Sequence, residues 1–226
     1  MDTTGIVILK IGGYGWSQSA FDFPVDVYAD ALKIFVVDKN NHRIQRFDKN
    51  LNFNFAISTR NSDSEEERFG YPLSAVMSNQ GDVFILDSEN KRILKFDIFG
   101  SFIQNFGGYD YGSNALEDPK QLAVSMQNNI FVIDKNKILI FDQYGNSIGR
   151  AEGNEDFTAI RIVFNWLTVN TPDKIYTADL RLPKLSPSEV LLSGFEKPLE
   201  IISSLVFNEK LYVLTKKSIH IFHRVN

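Results

Sequence analysis

The feature that most constrains this chain is a stretch that returns. Asp38–Asp48 reads DKNNHRIQRFD, comes back as DSENKRILKFD at Asp87–Asp97, and comes back shortened as DKNKILIFD at Asp134–Asp142. Each copy follows an apolar run (KIFVV, DVFIL, NIFVI) and precedes another extended segment. A strand, a tight polar turn and a second strand have been repeated. Pro24, Pro72 and Pro119 open successive repeats at spacings of 48 and then 47 residues. A period of that size built from several short strands marks a stacked or radial repeat fold.

The first repeat predicts four strands: Val25–Ala29, Lys33–Val37, Arg43–Phe47 and Phe53–Ile57. The fourth repeat keeps the register in WLTVNTPDKIYTAD, with Glu189–Phe195 as its last strand. The fifth opens at Pro198, and KLYVLTKKSIHIFH supplies its middle strands without a fourth. At the other end, VILKIGGY (Val7–Tyr14) aligns with FIQNFGGY (Phe102–Tyr109), which closes the second repeat. Ile6–Ile11 is therefore expected to complete the last repeat. The resulting expectation is all-β: a five-bladed β-propeller of four-stranded antiparallel blades, closed by the N-terminal strand, as one domain over residues 1–226. Such closure would remove an open sheet edge. A count of six blades is the alternative.

Composition agrees with that class. The 19 Phe and 8 Tyr suit pleated surfaces. A formal charge of −4 gives no global attraction for nucleic acid or anionic lipid. The absence of Cys removes disulfide and thiolate chemistry. No apolar run approaches the roughly 20 residues of a membrane span, and the N-terminus, MDTTGIVILK, does not read as a signal peptide.

The repeat resembles the NHL repeat family of β-propellers. The resemblance rests on a Pro before the first strand, an Asp ending the second, Asn-x-Arg-Ile and a closing Phe-Asp. In the first repeat these are Pro24, Asp38, Asn41, Arg43, Ile44, Phe47 and Asp48. In the second they are Pro72, Asp87, Asn90, Arg92, Ile93, Phe96 and Asp97. The third keeps Pro119, Asp134, Asn136, Ile138, Phe141 and Asp142, with Lys137 where Arg would stand. Short Asp and Asn side chains satisfy turn backbone groups. A structural role is therefore expected for them, with the arginines paired to carboxylates and the Ile and Phe positions in the core. Analogy with isolated propellers of this kind implies export from a bacterium.

Catalytic parts are sparse. His42 lies in a turn, and the spacing of His220 and His223 puts them on opposite faces of a strand. No zinc-protease, nucleophile-elbow or phosphate-loop motif is present. One enzymatic reading remains. Two residues after successive prolines come Asp26, Ser74, Gln121 and Glu200. If these line a central channel, Asp26 and Glu200 would hold a divalent cation such as calcium and support a hydrolase or lyase. The binding reading is preferred. The loops entering each repeat emerge on the same face as the DKNNHR-type turns and carry Tyr14, Trp16, Arg68, Tyr71, Tyr109 and Tyr111. Aromatics on long loops suit contacts with a protein or stacking on a glycan. The expectation is thus a non-catalytic scaffold that binds a protein partner through this face. A channel-centred enzyme is the first alternative and a glycan-binding propeller the second, and no cofactor is expected for the scaffold. Nucleic acid ranks last among partners, because the acidic run Asn61–Glu67 lies on the same face.

Overall fold

The computed structural model describes residues 6–193 and 200–223. They build five antiparallel sheets. The first holds β1 (Pro24–Ala29), β2 (Lys33–Asp38), β3 (Arg43–Asp48) and β4 (Phe53–Ile57), within a residue of the expected strands at either end. The second holds β5 (Pro72–Met77), β6 (Val83–Asp87), β7 (Arg92–Phe96) and β8 (Phe102–Phe106). The third holds β9 (Pro119–Val124), β10 (Ile130–Asp134), β11 (Lys137–Phe141) and β12 (Ser147–Glu152). The fourth holds β13 (Ala159–Val163), β14 (Trp166–Asn170), β15 (Ile175–Asp179) and β16 (Ser188–Glu189). The fifth holds β17 (Ser203–Phe207), β18 (Lys210–Leu214) and β19 (Ile219–His223). Five up-and-down sheets in chain order make this a five-bladed β-propeller.

The closing Asp of the first three repeats has a plain use: it turns the chain between the third and fourth strands. Asp48 Oδ1 accepts the amides of Asn50 and Asn52 at 2.8 and 2.9 Å. Asp97 Oδ1 does the same for Phe99 and Ser101 at 2.9 and 2.8 Å, and Asp142 Oδ1 for Tyr144 and Asn146 at 2.8 and 2.9 Å. Gly100 and Gly145 supply the positive φ (87° and 85°) that this turn needs, while Leu51 adopts 62° in the first blade.

The chain forms two compact units. In the first, which contains blades 1 and 2, Phe35, Ile44, Ile57, Phe69, Ile85, Leu94 and Phe96 form one buried cluster. The first strands of the two blades lie side by side. Ser74 donates to the Asp26 carboxylate at 2.5 Å, and the Tyr28 hydroxyl donates to the Met77 carbonyl at 3.1 Å. In the second unit, Phe131, Ile133, Ile138, Ile160, Leu167 and Val169 pack between blades 3 and 4. Gln121 stands there as Asp26 and Ser74 do in the first unit: its Oε1 accepts the Ile160 amide at 2.9 Å, tying β9 to β13.

Two expectations change. Blade 4 closes with only two residues, Ser188–Glu189, where Glu189–Phe195 was expected. The Val190 amide still donates to the Ile175 carbonyl at 2.8 Å, but β15 begins at Ile175, so the residues after Val190 have no strand left to pair with, and residues 194–199, including Phe195 and Pro198, lie outside the described set. The fifth sheet carries three strands among the described residues, and Ile6–Ile11 carries none. Ile6, Val7, Ile8 and Leu9 stay exposed. Instead of a ladder, the segment runs through Gly12 and Gly13, at φ 118° and 144°, into a single bridge between Tyr14 and Phe21.

Candidate protein-interaction face

All six expected face residues fall in the first unit, and a repeated device fixes the loops that carry Tyr14, Trp16, Arg68 and Tyr71. Asp38 is fully buried at the end of β2 and collects the turn around it. Its Oδ2 accepts Asn41 Nδ2 and Arg43 Nε, both at 2.8 Å, and its Oδ1 accepts the Asp22 amide at 2.7 Å. Held this way, Arg43 turns the rest of its guanidinium on the incoming loop. Its Nη1 donates to the Trp16 carbonyl at 2.8 Å, and its Nη2 donates to the carbonyls of Ser17 and Ala20 at 3.0 and 2.9 Å. Asn41 adds the Gly15 carbonyl at 2.9 Å and Gln45 the Ala20 carbonyl at 2.7 Å. Five planar donors in a fixed fork can satisfy several loop carbonyls at once.

Blade 2 repeats the device. Buried Asp87 accepts Asn90 Nδ2 at 2.7 Å and the amides of Gly70 and Glu89 at 3.2 and 3.1 Å. Arg92 Nε lies 3.5 Å from its carboxylate, and Arg92 Nη2 donates to the carbonyls of Glu65 and Arg68 at 2.6 and 2.8 Å. Burial is the largest influence on Asp87 and raises its carboxyl above the ordinary 3.8, against the lowering effect of Asn90, Gly70 and Arg92. In blade 3 the shortened turn changes the part. Asn136 donates to the Gly153 carbonyl at 2.8 Å, and Asp134 takes the amides of Glu117 and Asp118 at 3.0 and 2.5 Å.

With their backbone pinned, the loops carry their aromatic rings outward. Tyr14 is 85% exposed, Trp16 75%, Tyr71 41% and Tyr109 97%. Tyr111 is half-buried, and its amide donates to the Gly108 carbonyl at 3.0 Å. Arg68 is half-buried and donates from Nε to the Ser62 carbonyl at 3.0 Å, so it shapes the acidic loop it ends. Phe21 faces inward, edge-on to Phe47 with ring centroids 6.2 Å apart. Phe69 meets Phe96 in the same way at 6.0 Å, and Leu116 is buried at the matching place before Pro119. An apolar side chain thus packs inward three residues ahead of Pro24, Pro72 and Pro119 alike.

Sequence reasoning also missed the cluster around Tyr71. The His42 ring meets the Tyr71 ring at 4.3 Å, and His42 Nδ1 accepts the Tyr71 amide at 3.0 Å. Ser88 donates to the Tyr71 carbonyl at 2.6 Å. The Arg60 guanidinium lies 5.9 Å from the Tyr71 ring centre and pairs with Glu89. Burial and then Arg60 lower the His42 pKa from 6.5, and Glu89 opposes them. The imidazole is thus kept neutral, as its acceptor role requires.

The divalent-cation reading finds other partners at both carboxylates. Asp26 takes the Ser74 hydroxyl, and Glu200, with its side chain 79% exposed, pairs with Lys216 at 2.9 Å. No group of three His, Cys, Asp or Glu placed to hold a metal ion occurs among the described residues. His220 bonds Ser218 at 2.8 Å, and His223 lies on the other side of β19. No helix of the described residues is long and apolar enough to cross a membrane.

Comparison with known proteins agrees with the repeat. The NHL repeat model matches residues 21–47 and 69–96, the two blades that bear the arginine device. Protein brain tumor of Drosophila melanogaster is 32% identical over 142 residues, 61% of this chain and 13% of that protein. The B-box type zinc finger protein ncl-1 of Caenorhabditis elegans is 30% identical over 140 residues, 61% of this chain and 16% of that protein. The chain thus spans under one fifth of the length of either relative. A virginiamycin B lyase from Staphylococcus aureus, solved with quinupristin, superposes with a TM-score of 0.61 at 13% identity, over 88% of this chain and 69% of that one. That likeness concerns the fold alone. The repeat residues, the blades they build and the matched model together show NHL repeats at residues 21–47 and 69–96, within a chain of β-propeller fold.

Proposed function

We propose that this protein is a non-catalytic interaction module that binds a partner protein through the loop face of blades 1 and 2. The observation that carries the reading is the conjunction of exposed rings and fixed backbone. Tyr14, Trp16 and Tyr71 stand out on segments anchored by the Asp38–Arg43 device and the Tyr71 hydrogen bonds, and Tyr109 stands out beside the turn closed by the Tyr111 amide on the Gly108 carbonyl. Large rings on a preordered frame lose little conformational entropy on binding, which is how a small area gains affinity. Trp and Tyr are also the side chains that dominate measured interface energies.

The test is capture of partners on immobilised protein, followed by affinity measurement with the partner obtained. Trp16→Ala and Tyr109→Ala should each weaken binding about tenfold or more, the size of an interface anchor, without changing the melting temperature. Unchanged affinity in both variants would end this reading.

A further inference from the structure

The chemistry of the partner can be taken one step further. On the loops and turns of this face (residues 12–23, 38–43, 58–71, 87–92 and 107–111) there are nine carboxylates against six lysines and arginines. That imbalance of three compares with a net charge of −4 for the whole chain. The four arginines among the six are also turned onto the protein itself. Arg43 and Arg92 clamp loop carbonyls, Arg68 bonds the Ser62 carbonyl, and Arg60 pairs with Glu89. Lys39 lies 5.9 Å from the Phe23 ring centre, which leaves Lys91 outermost. By contrast Asp63, Glu65, Glu66 and Asp110 are exposed and make no ion pair among the described residues. Asn105 and Arg92 hold the backbone of Glu66 and Glu65 in place, at 3.0 and 2.6 Å. Of the exposed charge on this face, Lys91 thus stands against Asp63, Glu65, Glu66 and Asp110, so the face is acidic outward among exposed tyrosine and tryptophan rings.

We infer that the face docks a cationic segment of its partner, an extended peptide carrying lysines or arginines. Carboxylates attract and orient such a segment, and the faces of Trp16, Tyr71 and Tyr109 accept its cations and their aliphatic stems. The same field repels a phosphate backbone. The inference rests on the interaction reading above and adds the partner's charge to it.

The experiment uses the full chain and labelled decapeptides of alternating lysine and serine, arginine and serine, or glutamate and serine, with a single-stranded oligonucleotide alongside, followed by fluorescence anisotropy. The two cationic peptides should bind, and raising salt should weaken them as expected for screened charge. The glutamate peptide and the oligonucleotide should not bind. Removing three charges on the face (Asp63→Asn with Glu65→Gln and Glu66→Gln) should weaken cationic binding tenfold or more. Removing three charges on turns at the other end of blades 1 and 2 (Asp30→Asn with Asp48→Asn and Asp97→Asn, each keeping its turn acceptor) should leave it within twofold. Absence of cationic binding, equal losses in the two triple variants, or preference for the oligonucleotide would overturn the inference. The interaction reading is judged separately. If the captured partner is lost with Trp16→Ala yet retained by the Asp63/Glu65/Glu66 triple, only the charge inference fails. If the captured partner ignores Trp16→Ala and Tyr109→Ala, the interaction reading itself fails.

Discussion

At the scale of single residues, the repeat's recurring polar set holds the loops and turns in place. Asp38 is fully buried and its partner Arg43 nearly so, with side-chain exposures of 0% and 15%. Truncating Arg43 leaves that carboxylate without its cation and three loop carbonyls without a donor, so Arg43→Ala should cost about 3–5 kcal/mol. Arg43→Lys should recover only part, because an ammonium cannot reach three carbonyls as a fork does. Denaturant titration of the three proteins checks both statements. His42 gives a second residue-scale prediction. Its folded pKa lies below its ordinary 6.5, so the unfolded chain binds its proton first. Its contribution to stability is present above about pH 6.5 and is lost as pH falls through the lower folded value. Protonation also removes the acceptor for the Tyr71 amide. His42→Asn should flatten the stability profile between about pH 7.5 and pH 5 relative to wild type. Parallel profiles would contradict the assignment. The sequence indicated a turn at His42 but not its ring partner, because Tyr71 lies 29 residues away and meets it only through the packing of two blades.

At the scale of elements, strands were legible wherever alternation and turn chemistry agree. The four strands of blade 1 emerged within one residue because each is bounded by Asp, Asn or Gly with an identifiable turn task. The short fourth strand of blade 4 was not legible, since Val190, Leu191 and Leu192 read as strand residues while their partner β15 begins only at Ile175. The N-terminal segment illustrates the limit of register. Val7–Tyr14 copies the β8 pattern, yet Ile6–Ile11 carries no strand. A strand's hydrogen bonds depend on a neighbour, and similarity to β8 specifies the pattern without supplying the ladder. Between elements, Phe96 is fully buried and edge-on to both Phe69 and Phe102 at 6.0 and 5.8 Å. Phe96→Ala should cost about 3–5 kcal/mol. A melting shift within experimental error would remove Phe96 from the core of the first unit.

At the scale of the whole molecule, the repeat pattern announced the fold more clearly than it announced the role. The five blades follow from period, turn residues and apolar alternation, all of which are local and repeat. The proposed interaction face depends on what differs between repeats: Trp16 in one loop, an acidic run in the next, Tyr109 in a third. Arg43 and Arg92 hold the first two of these loops, and an arginine beside an aspartate in sequence reads as an ion pair without showing where its other nitrogens point. The central claim is that this pinned aromatic face, and not the opposite end of the blades, binds the partner. The most direct measurement is the partner's affinity for Trp16→Ala and Tyr109→Ala set against Phe99→Ala, whose ring is 84% exposed on the β7–β8 turn at the far end of blade 2. Losses of about tenfold in the first two and none in the third are expected. A loss confined to Phe99→Ala would place binding on the other end of the blade and contradict the account.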